Sequence, residues 1–169
     1  ENALARSSYD GCEFHAVDLP QIATPEFRYD EYPFAVVVAN PHPVPAHVTI
    51  TKSGDVVTEL IAQQTVVEPE HAQIGLYPRS TDVFSEVRDE NGVVTHISGP
   101  ASNLEVPPFG MGTFILPNQS AGMLVTADAV TYQSEVADKA YRVTTDVPVT
   151  AYQFQPICCS QSFTNDATI

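Results

Sequence analysis

Residues 140–169 read AYRVTTDVPVTAYQFQPICCSQSFTNDATI, and this stretch decides the class of fold that we predict. It contains a strand, a turn that bears a proline, a strongly apolar strand, a Cys pair and an Asn-Asp turn. In the apolar strand Val147, Val149 and Ala151 fall on one face, and Tyr152 and Phe154 fall on the other, because successive strand residues point to opposite sides. A strand that is apolar on both faces is expected at the centre of a sheet.

The same period of two recurs earlier in the chain. Val48 and Ile50 alternate with threonines, and a turn at residues 52–55 leads into a second apolar run at 56–61. This pattern predicts a hairpin. Residues 34–39 form a continuous apolar run, which is typical of a strand buried on both faces.

A second hairpin is predicted around Asn91-Gly92, which is the favoured pair for a two-residue type I′ turn. The segment from Arg79 to Asn91 is the most polar and acidic part of the middle of the chain. Its pattern allows either a long hairpin or an excursion from the core.

Fourteen prolines punctuate the chain, and residues 41–45 (PHPVP) are typical of a stiff connector rather than a strand. The spacing of apolar runs and turns indicates roughly ten to thirteen short strands. We therefore predict that residues 1–169 form one all-β domain, an antiparallel β-sandwich or a jelly-roll-like double sheet.

The charge of the chain excludes several kinds of partner. The chain has 21 acidic and 7 basic residues and a net charge of −14. Such a surface repels the phosphates of nucleic acids and anionic membranes. No apolar run approaches the roughly 20 residues that span a bilayer, so we predict no membrane insertion.

The ends of the sequence suggest a larger protein. The chain begins at Glu1 without an initiator Met or a recognisable signal peptide, and it stops at Ile169, where residues 166–169 are expected to begin a new strand. We expect the domain to be a piece of a longer exported protein.

The three cysteines, Cys12, Cys158 and Cys159, predict a disulfide. Adjacent cysteines rarely bond to each other, so a bridge from Cys12 to either Cys158 or Cys159 is the expected pairing. It would close a loop of about 145 residues and stabilise the fold by roughly 4 to 5 kcal/mol in the loop-entropy model. The third thiol would be free or paired outside this segment.

Candidate metal ligands are few. Asn165 and Asp166 could offer oxygens to Ca²⁺, helped by Asp10, Asp18 or Glu13 if the chain ends meet. The alternative, which we favour, is that Asn165 and Asp166 cap a turn. The five histidines (15, 42, 47, 71 and 96) lack a zinc-ligand spacing. We therefore predict no cofactor, with Ca²⁺ as the alternative.

Motifs of catalysis are missing from the sequence. It contains no nucleophile elbow, no P-loop and no metalloprotease helix. The neighbouring carboxylates Asp89 and Glu90 would point to opposite faces of a strand and cannot form a glycosidase pair. We predict that the domain is not an enzyme.

Five segments carry a resemblance to a known family: 11–19 (GCEFHAVDL), 33–41 (PFAVVVANP), 47–50 (HVTI), 114–117 (FILP) and 140–167. They resemble the IgGFc-binding-protein N-terminal-like domain, in particular its secreted and cell-surface members from myxobacteria-like bacteria. The chain departs from the family at His15, where an aromatic residue is common, and at Gln155, where Asn is common. The resemblance implies an extracellular, non-catalytic recognition or adhesion module, and Fc binding is not carried over.

Two functions follow as expectations. The first is a binding or adhesion module that recognises a protein or glycan partner through loops at one end of the sandwich. The alternative is a structural building block of an extracellular fibre or surface layer, which self-assembles through β-edges or strand exchange.

Overall fold

The structure is a computed structural model that describes residues 10–18, 33–68, 79–117, 140–154 and 167–168. These residues form strands, turns and connecting loops, and they include no helix that could cross a membrane. The strands are β1 (Gly11–Ala16), β2 (Phe34–Ala39), β3 (Ala46–Lys52), β4 (Asp55–Val56), β5 (Gln63–Glu68), β6 (Arg79–Phe84), β7 (Glu86–Arg88), β8 (Val94–His96), β9 (Leu104–Val106), β10 (Met111–Leu116), β11 (Tyr141–Phe154) and β12 (Ala167–Thr168).

Most of these strands belong to one antiparallel sheet of ten strands. Its path is β4-β3-β11-β2-β10-β7-β8, while β1 and β12 also pair with β11 and β9 pairs with β3. The remaining strands, β5 and β6, form a separate two-stranded sheet. The predicted all-β, antiparallel fold is confirmed, and its twelve described strands lie within the expected number.

Strand β11 connects the two halves of the large sheet. Its first half pairs with β3, from Tyr141 opposite Lys52 to Thr145 opposite Val48, and it also pairs with β1. Its second half pairs with β2, beginning with Thr150 opposite Ala39. A strand that is shared in this way turns a single sheet through a corner.

The corner lies at Pro148, where the sequence predicts a turn between two strands. The structure instead has one strand of 14 residues, so that prediction is wrong. Pro148 lacks a backbone N–H, but it lies between Thr145, the last residue paired with β3, and Thr150, the first residue paired with β2. The pairing with β1 is also irregular beside it. Proline is tolerated in a sheet at such an irregularity.

The core lies between the inward faces of the two halves of the sheet. Side chains from β1, β2, β3, β9, β10 and β11 form one buried cluster. Val149 and Ala151 belong to it and Val147 packs against it, whereas Tyr152 and Phe154 on the other face are partly exposed. The predicted faces of β11 are therefore confirmed, and so is the burial of Phe34–Ala39 on both faces, where only Ala39 is partly exposed. The sheet curls into a sandwich-like body.

The first predicted hairpin is present and shorter than expected. Strands β3 and β4 are joined by Ser53 and Gly54, which both have positive φ angles (52° and 89°), as a type I′ turn requires. Strand β4 has only two residues, because Val57 turns inward to the core. Beyond it, Leu60 forms a bridge with Gly99.

The second hairpin is also present, but its turn differs from the prediction. Strands β7 and β8 are joined by residues 89–93, and of the Asn91-Gly92 pair only Gly92 has a positive φ. One oxygen of Asp89 accepts hydrogen bonds from the backbone N–H groups of Asn91 (2.9 Å) and Val93 (2.8 Å). These bonds favour a longer turn that ends in a left-handed glycine over the two-residue type I′ turn.

The segment from Arg79 to Asn91 is divided between the two sheets. Strand β6 pairs with β5 in the small sheet, and β7 pairs with β10 in the large one. Ser85 lies between β6 and β7 and is fully buried. Its hydroxyl donates to the Ile61 carbonyl (2.7 Å) and accepts from the Ile115 N–H (2.9 Å). The buried Ser85 hydroxyl thus connects the segment before β5, which belongs to the small sheet, with β10 of the large sheet.

We expect Ser85→Ala to lower the free energy of unfolding by about 2 kcal/mol, because it leaves a carbonyl and an N–H group without their partner. Urea denaturation measures the change. Ser98→Ala is the matched control, since Ser98 is exposed and its loss should change stability by less than about 0.5 kcal/mol. Equal stability of the two variants would show that the Ser85 bonds contribute nothing to the fold.

Candidate binding site at the loop end

One end of the sandwich is organised by the buried side chain of Asn40, which follows β2. Its amide nitrogen lies 2.8 Å from the Val44 oxygen, 3.2 Å from the Val106 oxygen and 3.0 Å from the Pro107 oxygen. Its side-chain oxygen accepts a hydrogen bond from the His42 N–H at 3.0 Å. Because every polar atom of the amide is used, Asn40 fixes the loop at residues 40–45 against the loop after β9.

The loop after β9 is a tight turn that exposes Phe109. The Gly110 N–H donates to the Pro107 carbonyl at 3.0 Å, and the Phe109 N–H donates to the His42 carbonyl at 3.1 Å. Phe109 has a φ of 53°, in the left-handed region that a bulky side chain rarely adopts. Its side chain is also 54% exposed, so packing against the core does not explain the conformation. Strain of this kind tends to occur at functional sites.

Gly110 brings the β7–β8 hairpin next to this turn. A Cβ atom at Gly110 would lie 2.5 Å from the Arg88 carbonyl oxygen and 3.0 Å from the Pro107 oxygen, so no larger residue fits. The turn at residues 107–110 and the hairpin turn at 89–93 therefore lie side by side. Together with residues 40–45 they form what we call the loop end.

The loop end contains an open cleft of about 360 Å³. Its apolar side is formed by Phe109 and Met111, and Met111 is 39% exposed. Val44 and Val93 are exposed on the neighbouring loops. The cleft is lined by Ala39, Asn40, Pro41, Arg88, Asp89, Glu90, Phe109, Gly110, Met111 and Thr150.

The charged groups at the cleft leave an acidic surface. The Arg88 guanidinium donates to Glu86 at 3.2 Å, so its charge is partly neutralised within β7. Glu90 is exposed, and within the described part of the chain it forms no ion pair. Asp89 has one oxygen engaged by the turn, and its charge remains at the rim.

A second open cleft, of about 710 Å³, lies at the opposite end of β2 and β10. Two of its lining residues, Tyr141 and Lys52, contribute to holding the fold. The Tyr141 hydroxyl donates to the Pro117 carbonyl at 2.6 Å, and the Tyr141 ring stacks on Phe34. The Lys52 ammonium lies 5.6 Å from the centre of the same ring. The loop end instead exposes Phe109 and Met111 at its cleft, and we therefore take it as the candidate binding site.

The structure leaves the predicted disulfide untested. Cys12 is exposed on β1, and it forms no disulfide with any residue in the described part of the chain. Cys158 and Cys159 lie outside the described residues. The bridge between Cys12 and one of them stays a prediction.

The predicted calcium ligands are only partly described. Asn165 and Asp166 lie outside the described residues. Asp10 accepts a hydrogen bond from the Thr150 hydroxyl at 2.7 Å, and both Glu13 oxygens accept from Arg142, at 3.0 and 2.8 Å. In the described ranges no group of three or more His, Cys, Asp or Glu side chains could hold a metal ion.

The described histidines are dispersed over the fold. His47 is bonded to Asp146 through its backbone N–H and its ring, both at 2.7 Å, and His96 packs on Phe84. The backbone bond from His47, followed by the ring bond, holds the pKa of Asp146 below its usual value. The Arg142 guanidinium does the same for the pKa of Glu13. Both pairs therefore stabilise the fold above the ordinary carboxyl pKa and lose this effect as the pH falls through the lowered one.

Sequence reasoning missed Asn40, Phe109 and Met111 as site residues. A usable signal lies in residues 107–110 (PPFG), because prolines followed by a glycine mark a turn, and turns run over the protein surface. The sequence predicted a site in loops at one end of the sandwich, but it did not identify the residues of that site.

None of the known family models, curated proteins or solved structures matches this chain. The resemblance to the IgGFc-binding-protein N-terminal-like domain stays a prediction.

We expect Phe109→Gly to raise the free energy of unfolding by about 1 kcal/mol, because glycine adopts a positive φ without strain and little packing is lost. Phe109→Ala is the matched control, since it removes the ring but keeps a Cβ atom in the left-handed conformation. Thermal and urea denaturation of the two variants measure the difference. A glycine variant no more stable than the alanine variant would contradict the assignment of strain to Phe109.

Proposed function

We propose that this chain is a non-catalytic, extracellular binding or adhesion domain that recognises a protein or glycan partner through the loop end. The observation that carries the proposal is the exposed Phe109, held in a left-handed conformation beside Met111 at the mouth of a cleft. A large apolar side chain placed at a stability cost outside the core is favoured where it contacts a partner.

The surrounding structure supports this role. The amide of Asn40 and the close approach of Gly110 to Arg88 fix the loops in place, so little conformational entropy is lost when a partner binds. Charged residues of the hairpin turn flank the exposed apolar ones on one side, as charged residues at the polar rim of a protein interface flank its apolar centre.

The test is binding to arrays of glycans and of purified extracellular proteins. We expect the wild-type domain to retain a small set of partners, and Phe109→Ala to weaken that binding about tenfold or more, as truncation of a central aromatic anchor does. Val56→Ala is the control, because Val56 is an exposed apolar residue at the opposite cleft. No specific partner, or equal loss in both variants, would contradict the proposal.

A second candidate is the structural building block, and the edge strand β8 favours it. Strand β8 is the last strand on the path of the large sheet, and no described strand pairs with its outer side. The Ile97 N–H bonds to Ser85 and the Asp89 N–H bonds to Val93, so by the alternation of an antiparallel ladder the N–H groups of Val94 and His96 point outward. A strand from another copy could pair there.

If copies assemble through β8, we expect Val94→Pro to abolish concentration-dependent assembly while leaving the fold intact, because it removes only an outward N–H. Light scattering after size-exclusion chromatography measures the assembly, and circular dichroism checks the fold. Val44 does not lie in an edge strand, so Val44→Pro serves as the control. A wild-type domain that is monomeric at every concentration would remove this candidate.

A further inference from the structure

We infer that the loop-end cleft binds a polypeptide segment in which basic side chains flank an apolar one. This inference rests on the proposed function and names the chemistry of the partner. It follows from the kinds of side chain that are free to contact a partner and from the sign of the charge around them.

The apolar groups at the loop end suit a polypeptide better than a sugar. Phe109 and Met111 line the cleft, and Val44 and Val93 are exposed on the two neighbouring loops, so a partner meets apolar groups at several points rather than one flat surface for a sugar ring. Phenylalanine and methionine are among the residues enriched in protein interfaces. The Asn40 amide, which could have bound sugar hydroxyls, is already bonded to loop carbonyls.

The charge at the rim selects a basic partner. Glu90 and Asp89 present carboxylates at the hairpin turn, and the nearby Arg88 already bonds to Glu86. The exposed ring of Phe109 can also accept a cation over its face. The net charge of −14 adds a long-range attraction for cationic partners.

The same charge disfavours a second copy of this chain as the occupant. Two copies would each bring a charge of −14, so a second copy would approach the acidic loop end with a strongly negative surface of its own. Like charges across an interface oppose association. The occupant is therefore expected to be a different protein that carries a basic and apolar segment.

The experiment measures fluorescence anisotropy with three labelled peptides of equal length. The first alternates lysine or arginine with leucine and phenylalanine, the second replaces every basic residue with glutamate, and the third replaces every apolar residue with glycine or serine. We expect the first peptide to bind at least about tenfold more tightly than either of the others. The second peptide lacks the basic residues that the carboxylates would attract, and the third lacks the apolar residues that would contact Phe109 and Met111.

Charge-matched variants locate the contact. Glu90→Lys and Glu59→Lys change the net charge equally, but Glu59 lines the cleft at the opposite end. We expect Glu90→Lys to weaken binding of the basic and apolar peptide about tenfold, and Glu59→Lys to weaken it less than about twofold. Phe109→Ala should weaken binding as strongly as Glu90→Lys does.

The outcomes separate this inference from the proposed function. Equal weakening by Glu90→Lys and Glu59→Lys would mean unspecific attraction and would overturn the inference. Phe109-dependent binding of a glycan, or of a protein without a basic segment, would overturn it while leaving the proposed function standing. If no probe and no array partner binds in a Phe109-dependent way, both fall together.

Discussion

The backbone pairing of β11 holds the two halves of the described sheet together. Its first half lies between β1 and β3, and its second half pairs with β2, so the core forms only when both sets of bonds are made. The inward side chains of β11, which include Tyr141, Val143 and Val149, then contribute to one cluster with residues from five other strands. The corner at Pro148 permits this sharing, because neither β3 nor β2 requires a hydrogen bond from that residue.

The local pattern of apolar and polar residues predicted those strands whose buried faces follow from their own sequence. The apolar run of β2 and the alternation in β11 were enough to assign buried and exposed sides, and both turn pairs marked true hairpins. The continuity of β11 could not be predicted, because a proline locally indicates a turn and the partners that keep the strand extended lie far away in sequence. The type of the turn after β7 was predicted wrongly for a similar reason. The Asp89 side chain competes with the Asn91-Gly92 preference, and residue pairs alone do not reveal which wins.

The candidate site was the least predictable part, since its key residue is defined by distant carbonyl groups. An asparagine before a proline resembles an ordinary turn residue, yet Asn40 is buried because the Val106 and Pro107 oxygens, 66 and 67 residues further along, surround its amide. Phe109 depends on the same contact, because its turn is fixed by the loop that Asn40 organises. The buried Asn40 side chain thus fixes the turn that exposes Phe109 to solvent.

The position of β11 in the chain has a consequence for how the domain folds. Glu13 and Arg142 are in direct contact although they are 129 residues apart, and β3 also pairs with β11 across the intervening strands. During synthesis β1, and one edge each of β2 and β3, therefore remain unpaired until β11 leaves the ribosome. Such long-range closure makes folding slow and exposes apolar strands to aggregation. The abundance of acidic residues offers protection in that interval, because nascent chains that carry strong like charge repel one another.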